Sequence, residues 1–436
     1  MKKVKIGVVC LARKTYDFEA AAEIYADLQK RLKARDDVEF VFVDGLVIEV
    51  DEAQKAAAYL AGQELDGVAI ISGTFHLGHL APTIKKSLKC PVLLWAFNEL
   101  PYNGGKIRLN SVCGLNLNAS VFYKSGIDDY SCHVGDDIDE VWLNVIKMKA
   151  AISHAHIGLA GYRADGFFNL SVEDTYLFNR TGVLVDHYEL SELMNEYKMA
   201  ETGFTVDQVR DIYDCSDINE TQLDKVAVLS RSMENFINKN KLDALAIRCW
   251  PEFANTFGTS PCAAMSLLQG KGYTLGCEGD IEGTLSLLAC NAIAKDPAFL
   301  ADLSQVNFEE NYALLWHCGV AAYPLWDGKS LRSLDTYFAG GRGVTAGFVM
   351  KSGTITVMRI DTARGKTRLF IGRGEAVPME RELSGTYAKV IFDQPISELI
   401  DTVTETGVAH HISMIYGDYV KEMKLFARLM GFEVIE

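Results

Sequence analysis

The sequence predicts an α/β chain: two parallel-sheet units followed by an antiparallel β region, a meander or small barrel. Three observations carry this. Short apolar runs alternate with amphipathic segments of ten or more residues over roughly the first 150 positions, the mark of right-handed βαβ units. The alternation restarts at "AHIGLAGYRADGF", after the helical "VWLNVIKMKAAIS". Beyond about residue 335 the chain turns rich in Gly, Thr and Val and alternates with period two in "GVTAGFVMKSGTITVMRIDTARGKTRLFIGRGEAV", as antiparallel strands do.

The first unit reads in order as strand "KIGVVCLA", helix "FEAAAEIYADLQKRLKA", strand "VEFVFVDG", helix "DEAQKAAAYLAGQ", strand "LDGVAIISG", helix "APTIKKSLK" and strand "CPVLLWAF". Ligands of such sheets bind at the C-terminal strand ends, here "LARKTYD", "SGTFHLGH" and "WAFNELPYNGG". There is no GxGxxG, so the dinucleotide fingerprint is lacking. In the second unit "DALAIRCWPEF" is a strand and turn, "GYTLGCEGDIEG" a strand end and "TLSLLACNAIA" a buried helix; "YALLWHCGVAAYPL" follows. "GVAHHISMIYGDYVKEMKLFARLMGFEVIE" closes the chain as strand, helix and strand.

Composition narrows the function. The 436 residues are 49% apolar and 23% charged, ordinary for a globular chain of two or three domains. The formal net charge of −15 argues against a nucleic-acid binder, which needs clustered cations. No apolar window reaches 18 residues, so no transmembrane helix is expected, and "VKIGVVCLA" reads as a first strand rather than a signal peptide. The ten cysteines include no CxxC, and Cys10, Cys90, Cys249 and Cys290 sit in apolar runs, as reduced cytosolic thiols do.

The chemistry centres on three acids crowded at one turn. Asp280 stands where the helix N-cap belongs and Glu282 in the first turn, both favourable to the helix dipole. Capping leaves Glu278 unexplained: it follows the strand directly. Asp302 comes 24 residues later and begins the next element; a plain loop Asp is the competing reading. His317, in "LLWHCG", is either a core histidine or a site residue. His410 and His411, in "AHHIS", fall on a strand, so their rings should face opposite sides. Two carboxylates and an imidazole suit a hard divalent ion such as manganese or magnesium. In "RCWPEF", Arg248, Trp250 and Glu252 could hold a polyol. Cys249, Cys277 and Cys318 follow strands and could instead serve a cofactor-independent racemase.

"RCWPEF…PCAAMSLLQGKGYTLGCEGDIEGTLSLL", then an Asp, "LLWHCG" and "GVAHHISMIYGDY" resemble the L-fucose isomerase and L-arabinose isomerase superfamily, in its short fucose-isomerase-like branch. The resemblance implies a cytoplasmic aldose–ketose isomerase that binds a sugar and works with Mn²⁺, or with Mg²⁺ or Co²⁺. It implies two Rossmann-like domains, 1–152 and 153–330, and a C-terminal antiparallel β-barrel domain, 331–436. It further implies a homo-trimer or homo-hexamer, and neither nucleic acid nor membrane as a partner. Glu278, Asp302 and His411 match the fucose-isomerase metal ligands in order, and His317 matches an extra ligand of the arabinose branch. Glu278 and Asp302 are then also the candidate bases. Arg13, Trp95, Arg248, Trp250 and His410 are the expected sugar contacts. A non-catalytic sugar-binding or regulatory protein on the same fold is the competing function.

Overall fold

The computed structural model describes residues 3–199, 204–336, 341 and 343–436. The chain forms two compact units, Met1–Ala150 and Ala151–Glu436. The first holds strands β1 (Val4–Leu11), β2 (Val38–Val47), β3 (Gly67–Ser72), β4 (Val92–Ala96) and β5 (Tyr130–Val134). They are parallel, in the order β2-β1-β3-β4-β5. β3 and β4 are buried along their whole length, which is why their sequences are unbroken apolar runs rather than alternating ones. The helix Phe18–Lys33 starts where the Asp17 side chain accepts the Ala20 N–H, and Lys30, Arg31 and Lys33 occupy its last turn, the charge order its dipole favours.

Two of the expected sugar contacts lie in this unit. Arg13 follows β1 with an exposed side chain, its backbone N–H donated to Thr74 Oγ1 at 2.8 Å. Trp95 is fully buried in β4 and donates its indole N–H to the Gly135 carbonyl at 2.7 Å.

The second unit opens with β6 (His156–Ala160), β7 (Leu184–Tyr188), β8 (Ala244–Ile247) and β9 (Thr274–Gly276), a parallel sheet ordered β7-β6-β8-β9. The remaining strands are β10 (Phe299–Asn307), β11 (Tyr312–His317), β12 (Ser333–Thr336), β13 (Val344–Val349), β14 (Gly353–Ala363), β15 (Lys366–Val377), β16 (Thr386–Phe392), β17 (His411–Tyr416) and β18 (Glu433–Ile435). They make one nine-stranded sheet, β12-β13-β16-β11-β10-β17-β14-β15-β18. Because β15 also pairs with β16, the ladder from β16 through β11, β10, β17, β14 and β15 returns on itself as a ring. The sheet is mixed, not purely antiparallel as expected: β13 runs parallel to β16, and β18 parallel to β15. β10 and β11, which precede residue 331, belong to this sheet as well.

The helix Ile281–Asn291 joins the two sheets. It packs against β8 and β9 on one side and β10, β14 and β17 on the other. Every residue from Ile281 to Cys290 is buried, so the segment is small or apolar nearly all round, as an interior helix must be. Its entry is tight. Glu278 and Gly279 both take left-handed backbone angles, φ of 62° and 70°, and the Gly279 N–H bonds the Ile247 carbonyl at 3.0 Å. Asp280 then caps the helix, accepting the Gly283 N–H at 2.8 Å. Among the described residues no helix is long and apolar enough to cross a membrane.

A Cβ on Gly279 would stand 2.3 Å from the Tyr162 carbonyl oxygen and 2.6 Å from Arg163 Cα. Gly365 is equally left-handed, at φ 74°, but faces open space. Gly365→Ala should therefore lose only the left-handed penalty of about 1–2 kcal/mol. Gly279→Ala adds a backbone clash and should lose at least about 3 kcal/mol in urea unfolding. Equal losses would show that the turn is not tightly packed.

Candidate active site

Three strand ends and one strand interior deliver the site. β9 runs into Glu278, β11 ends at His317, β17 begins at His411, and Asp302 sits in β10 between the last two. Asp302 pairs in register with His411 on one side and Trp316 on the other. It is therefore a strand residue, not the loop Asp that the competing reading allowed.

His411 Nε2 is the meeting point. Glu278 Oε2 lies 3.3 Å from it and Asp302 Oδ1 3.4 Å. The ring is fully buried, and Nε2 has no hydrogen-bond partner among the described residues. The other nitrogen, Nδ1, faces Asp280 Oδ2 at 2.9 Å. A carboxylate can only accept, so Nδ1 carries a proton, and Nε2, once it gives up any proton of its own, offers a lone pair. Two carboxylate oxygens around such a nitrogen form a donor set for a hard or borderline divalent cation. Donor atoms of Glu278, His410 and His411, and of Asp302, His317 and His411, lie within 4.8 Å of one another. Glu278, Asp302 and His411 thus converge, across 133 residues of chain from 278 to 411.

The two adjacent histidines depart from expectation. Strand alternation predicts rings on opposite sides, yet the His410 and His411 centroids are 4.2 Å apart. His410 lies in the bend just before β17, so strand alternation does not govern it. Its Nε2 also approaches Glu278 Oε2, at 3.5 Å, and its Nδ1 lies 3.0 Å from Asn169 Nδ2. Trp250 donates its indole N–H to Glu278 Oε1 at 3.3 Å. Phe167 packs edge-on against both Trp250 and His410. Arg248 is ion-paired to Glu252 at 2.7 Å. Phe167 and Asn169 carried no signal in the sequence: an aromatic and an amide in an irregular loop have no period to reveal them.

Electrostatics separates the three acids of the turn. Burial alone would raise the Glu278 pKa, but His410 and His411 outweigh it and hold the carboxyl at about 2. Burial also opposes charge on Asp280, yet the Arg359 guanidinium and His411 drive it well below the carboxylate range. Glu282 behaves oppositely. It stands in the helix's first turn, as the sequence reading has it, but is buried, and burial pushes its pKa up to about 7 against the pull of Arg359. Arg359, fully buried in β14, donates to both Asp280 oxygens, at 2.7 and 3.2 Å. Sequence reasoning missed it, although an Arg two residues from Val357 on a strand's buried face was a readable signal.

Behind the site four buried thiols form a line. Cys249 Sγ is 3.1 Å from Cys277, and Cys262 Sγ 3.4 Å from Cys318. Cys318 Sγ also lies 3.1 Å from His317 Nδ1. Burial works against charge on His317, but a Cys318 thiolate, with Asp302 and Glu278, would push its pKa up to about 10.

A buried carboxyl with a raised pKa keeps its proton in the folded state after the unfolded chain has released it. Stability then falls as pH rises from the ordinary carboxylate range to about 7 and levels off beyond. Glu282→Gln should flatten that slope and be more stable than the parent at pH 8 than at pH 5, relative to wild type. Urea midpoints at the two pH values check this; an unchanged slope would mean that Glu282 folds ionised.

The chain is similar to known proteins along most of its length. Residues 7–150 match a family model described as the N-terminal domain of fucose/sulfoquinovose isomerases, and residues 328–436 one described as the C-terminal domain of L-fucose isomerase. A protein of Priestia megaterium named sulfoquinovose isomerase is 27% identical over 444 residues, covering 99% of both chains. One of the same name from Alkalicoccus urumqiensis is 27% identical, over 85% of this chain and 86% of its own. A third from a Clostridium species is 25% identical, over 83% of each. With its two ends matched by the N- and C-terminal domain models of fucose isomerases and a relative aligned over 99% of both chains, the chain belongs to the fucose isomerase-like family of aldose–ketose isomerases.

Proposed function

We propose that the chain is a divalent-metal-dependent aldose–ketose isomerase that works through a cis-enediolate, with sulfoquinovose as the first substrate to test. The observation that carries the metal is the free, buried His411 Nε2 with Glu278 and Asp302 at 3.3 and 3.4 Å. These three would hold the ion; its donors, two carboxylates and one imidazole, favour Mn²⁺, with Mg²⁺ or Co²⁺ as substitutes. When bound, it supplies Lewis acidity that polarises the sugar carbonyl and steadies the enediolate charge. The substrate class follows from relatives named for sulfoquinovose.

The residues divide the remaining work. Isomerisation moves one proton between C1 and C2 and another between O1 and O2. Glu278 and Asp302 both lie beside the His411 nitrogen, and one of them carries the carbon-bound proton as base and then as acid. Glu278 is ready to accept, since the neighbouring imidazoles keep it ionised. Its left-handed backbone is a strain that functional sites tolerate and capping does not require. Trp250 orients its carboxylate, while His410, Arg248 and Phe167 shape the wall that a sugar would meet. Arg13, exposed after β1, keeps its proposed recognition role, whereas Trp95 is fully buried with its N–H on the Gly135 carbonyl and is not free to meet a sugar. The same reading takes the six-strand ring as a β-barrel, to which β10 and β11 contribute from before the expected domain boundary at residue 331. It takes a homo-trimer or homo-hexamer as the active form and the cytoplasm as its compartment.

Incubation with sulfoquinovose and other aldoses in D₂O, followed by NMR, tests this. Deuterium should enter at C1 of the ketose and C2 of the aldose with Mn²⁺ present, and stop entering with EDTA. Glu278→Gln should lower turnover by at least about 100-fold. Full exchange in EDTA, or full turnover by Glu278→Gln, contradicts the proposal.

A further inference from the structure

We propose that His317 is not a ligand of the metal but a fixed hydrogen-bond donor to an oxygen of the bound sugar. The inference rests on the metal-isomerase reading above. His317 closes β11 with only 2% of its surface exposed, and its ring lies 5.4 Å from that of His411. Its donor atoms share a cluster with Asp302 and His411. By position alone it could be a fourth ligand.

What stands at Nδ1 decides otherwise. The backbone N–H of Cys318 points at His317 Nδ1 from 2.8 Å. A backbone amide can only donate, so this nitrogen holds a lone pair and the ring proton sits on Nε2. A nitrogen that bears a proton cannot coordinate an ion. A metal-binding histidine shows the reverse arrangement, giving its distal N–H to an acceptor, and His411 does so to Asp280. The two rings therefore hold opposite tautomers in one site. Charging His317 through a Cys318 thiolate would need a proton on Nδ1, where the amide hydrogen already points.

The Nε2–H is buried and has no partner among the described residues. A buried donor left unpaired is expensive, and one kept at a strand end beside two carboxylates is kept for a ligand oxygen. A sugar presents such an oxygen at each carbon. Nε2–H would bond one of them and, with Cys318 gripping the other side of the ring, would do so from a fixed direction.

Mn²⁺ binding followed by electron paramagnetic resonance, together with the KM for the isomerised sugar, tests this on the full chain. His317→Ala and His317→Gln should each bind one Mn²⁺ within about threefold of wild type. His411→Ala should lose at least about tenfold, as loss of a true ligand does. KM should rise about tenfold in His317→Ala, the value of one buried hydrogen bond, and recover in part in His317→Gln, whose amide can donate. If His317→Ala weakens Mn²⁺ as His411→Ala does, the histidine is a ligand and the inference falls alone. If His317→Ala leaves KM unchanged, the donor role falls. A wild type that binds no Mn²⁺ sinks the metal reading and this inference with it.

Discussion

Arg359, inside β14, grips both oxygens of Asp280, and Asp280 grips Nδ1 of His411. All three side chains are fully buried. A lone charge at such depth would be prohibitive, and the arrangement is tolerable only because each group satisfies the next. Asp280 Oδ1 also takes the Gly283 N–H that caps the central helix, and Arg359 donates to the His411 carbonyl at 3.0 Å. One carboxylate thus ties the start of a helix, a strand of the ring and the imidazole together. The tautomer and aim of His411 follow from it, and with them the whole donor set. Removing either partner would strand a buried charge and let the ring turn.

Three acids within five residues meet three different fates because their surroundings differ, not their chemistry. Asp280 is ionised and structural, committed on both oxygens. Glu282 is walled in and holds its proton near neutrality. Glu278 is ionised and leaves its carboxylate toward the imidazoles and Trp250, partly open to solvent. Separation of this kind, by burial and by the sign of the nearest charge, is how one turn can serve folding and catalysis together.

Much of this was legible beforehand. Apolar runs of β1, β3 and β4 announced a parallel sheet because both faces are covered, and Glu278 stood out because helix capping had no use for it. Asp302 and His411 were assigned by resemblance, and the register of β10 with β17 brings them side by side. What stayed hidden depends on contacts far apart in sequence. Arg359 lies 79 residues from Asp280. The closure of β15 onto β16 is a tertiary pairing that period-two alternation does not encode. His410 misled because strand alternation was extended one residue too far, into a bend. The sequence placed His317 near the chemistry but said nothing of its tautomer, which depends on where one backbone amide points.

The central claim is that Glu278, Asp302 and His411 Nε2 bind one ion. Anomalous diffraction from a crystal soaked in Mn²⁺ measures this directly. The account predicts a single strong peak in contact with those three donors, with His411 Nδ1 still on Asp280 and no bond to His317. A peak on the cysteine line, or one that His411 does not touch, would contradict it.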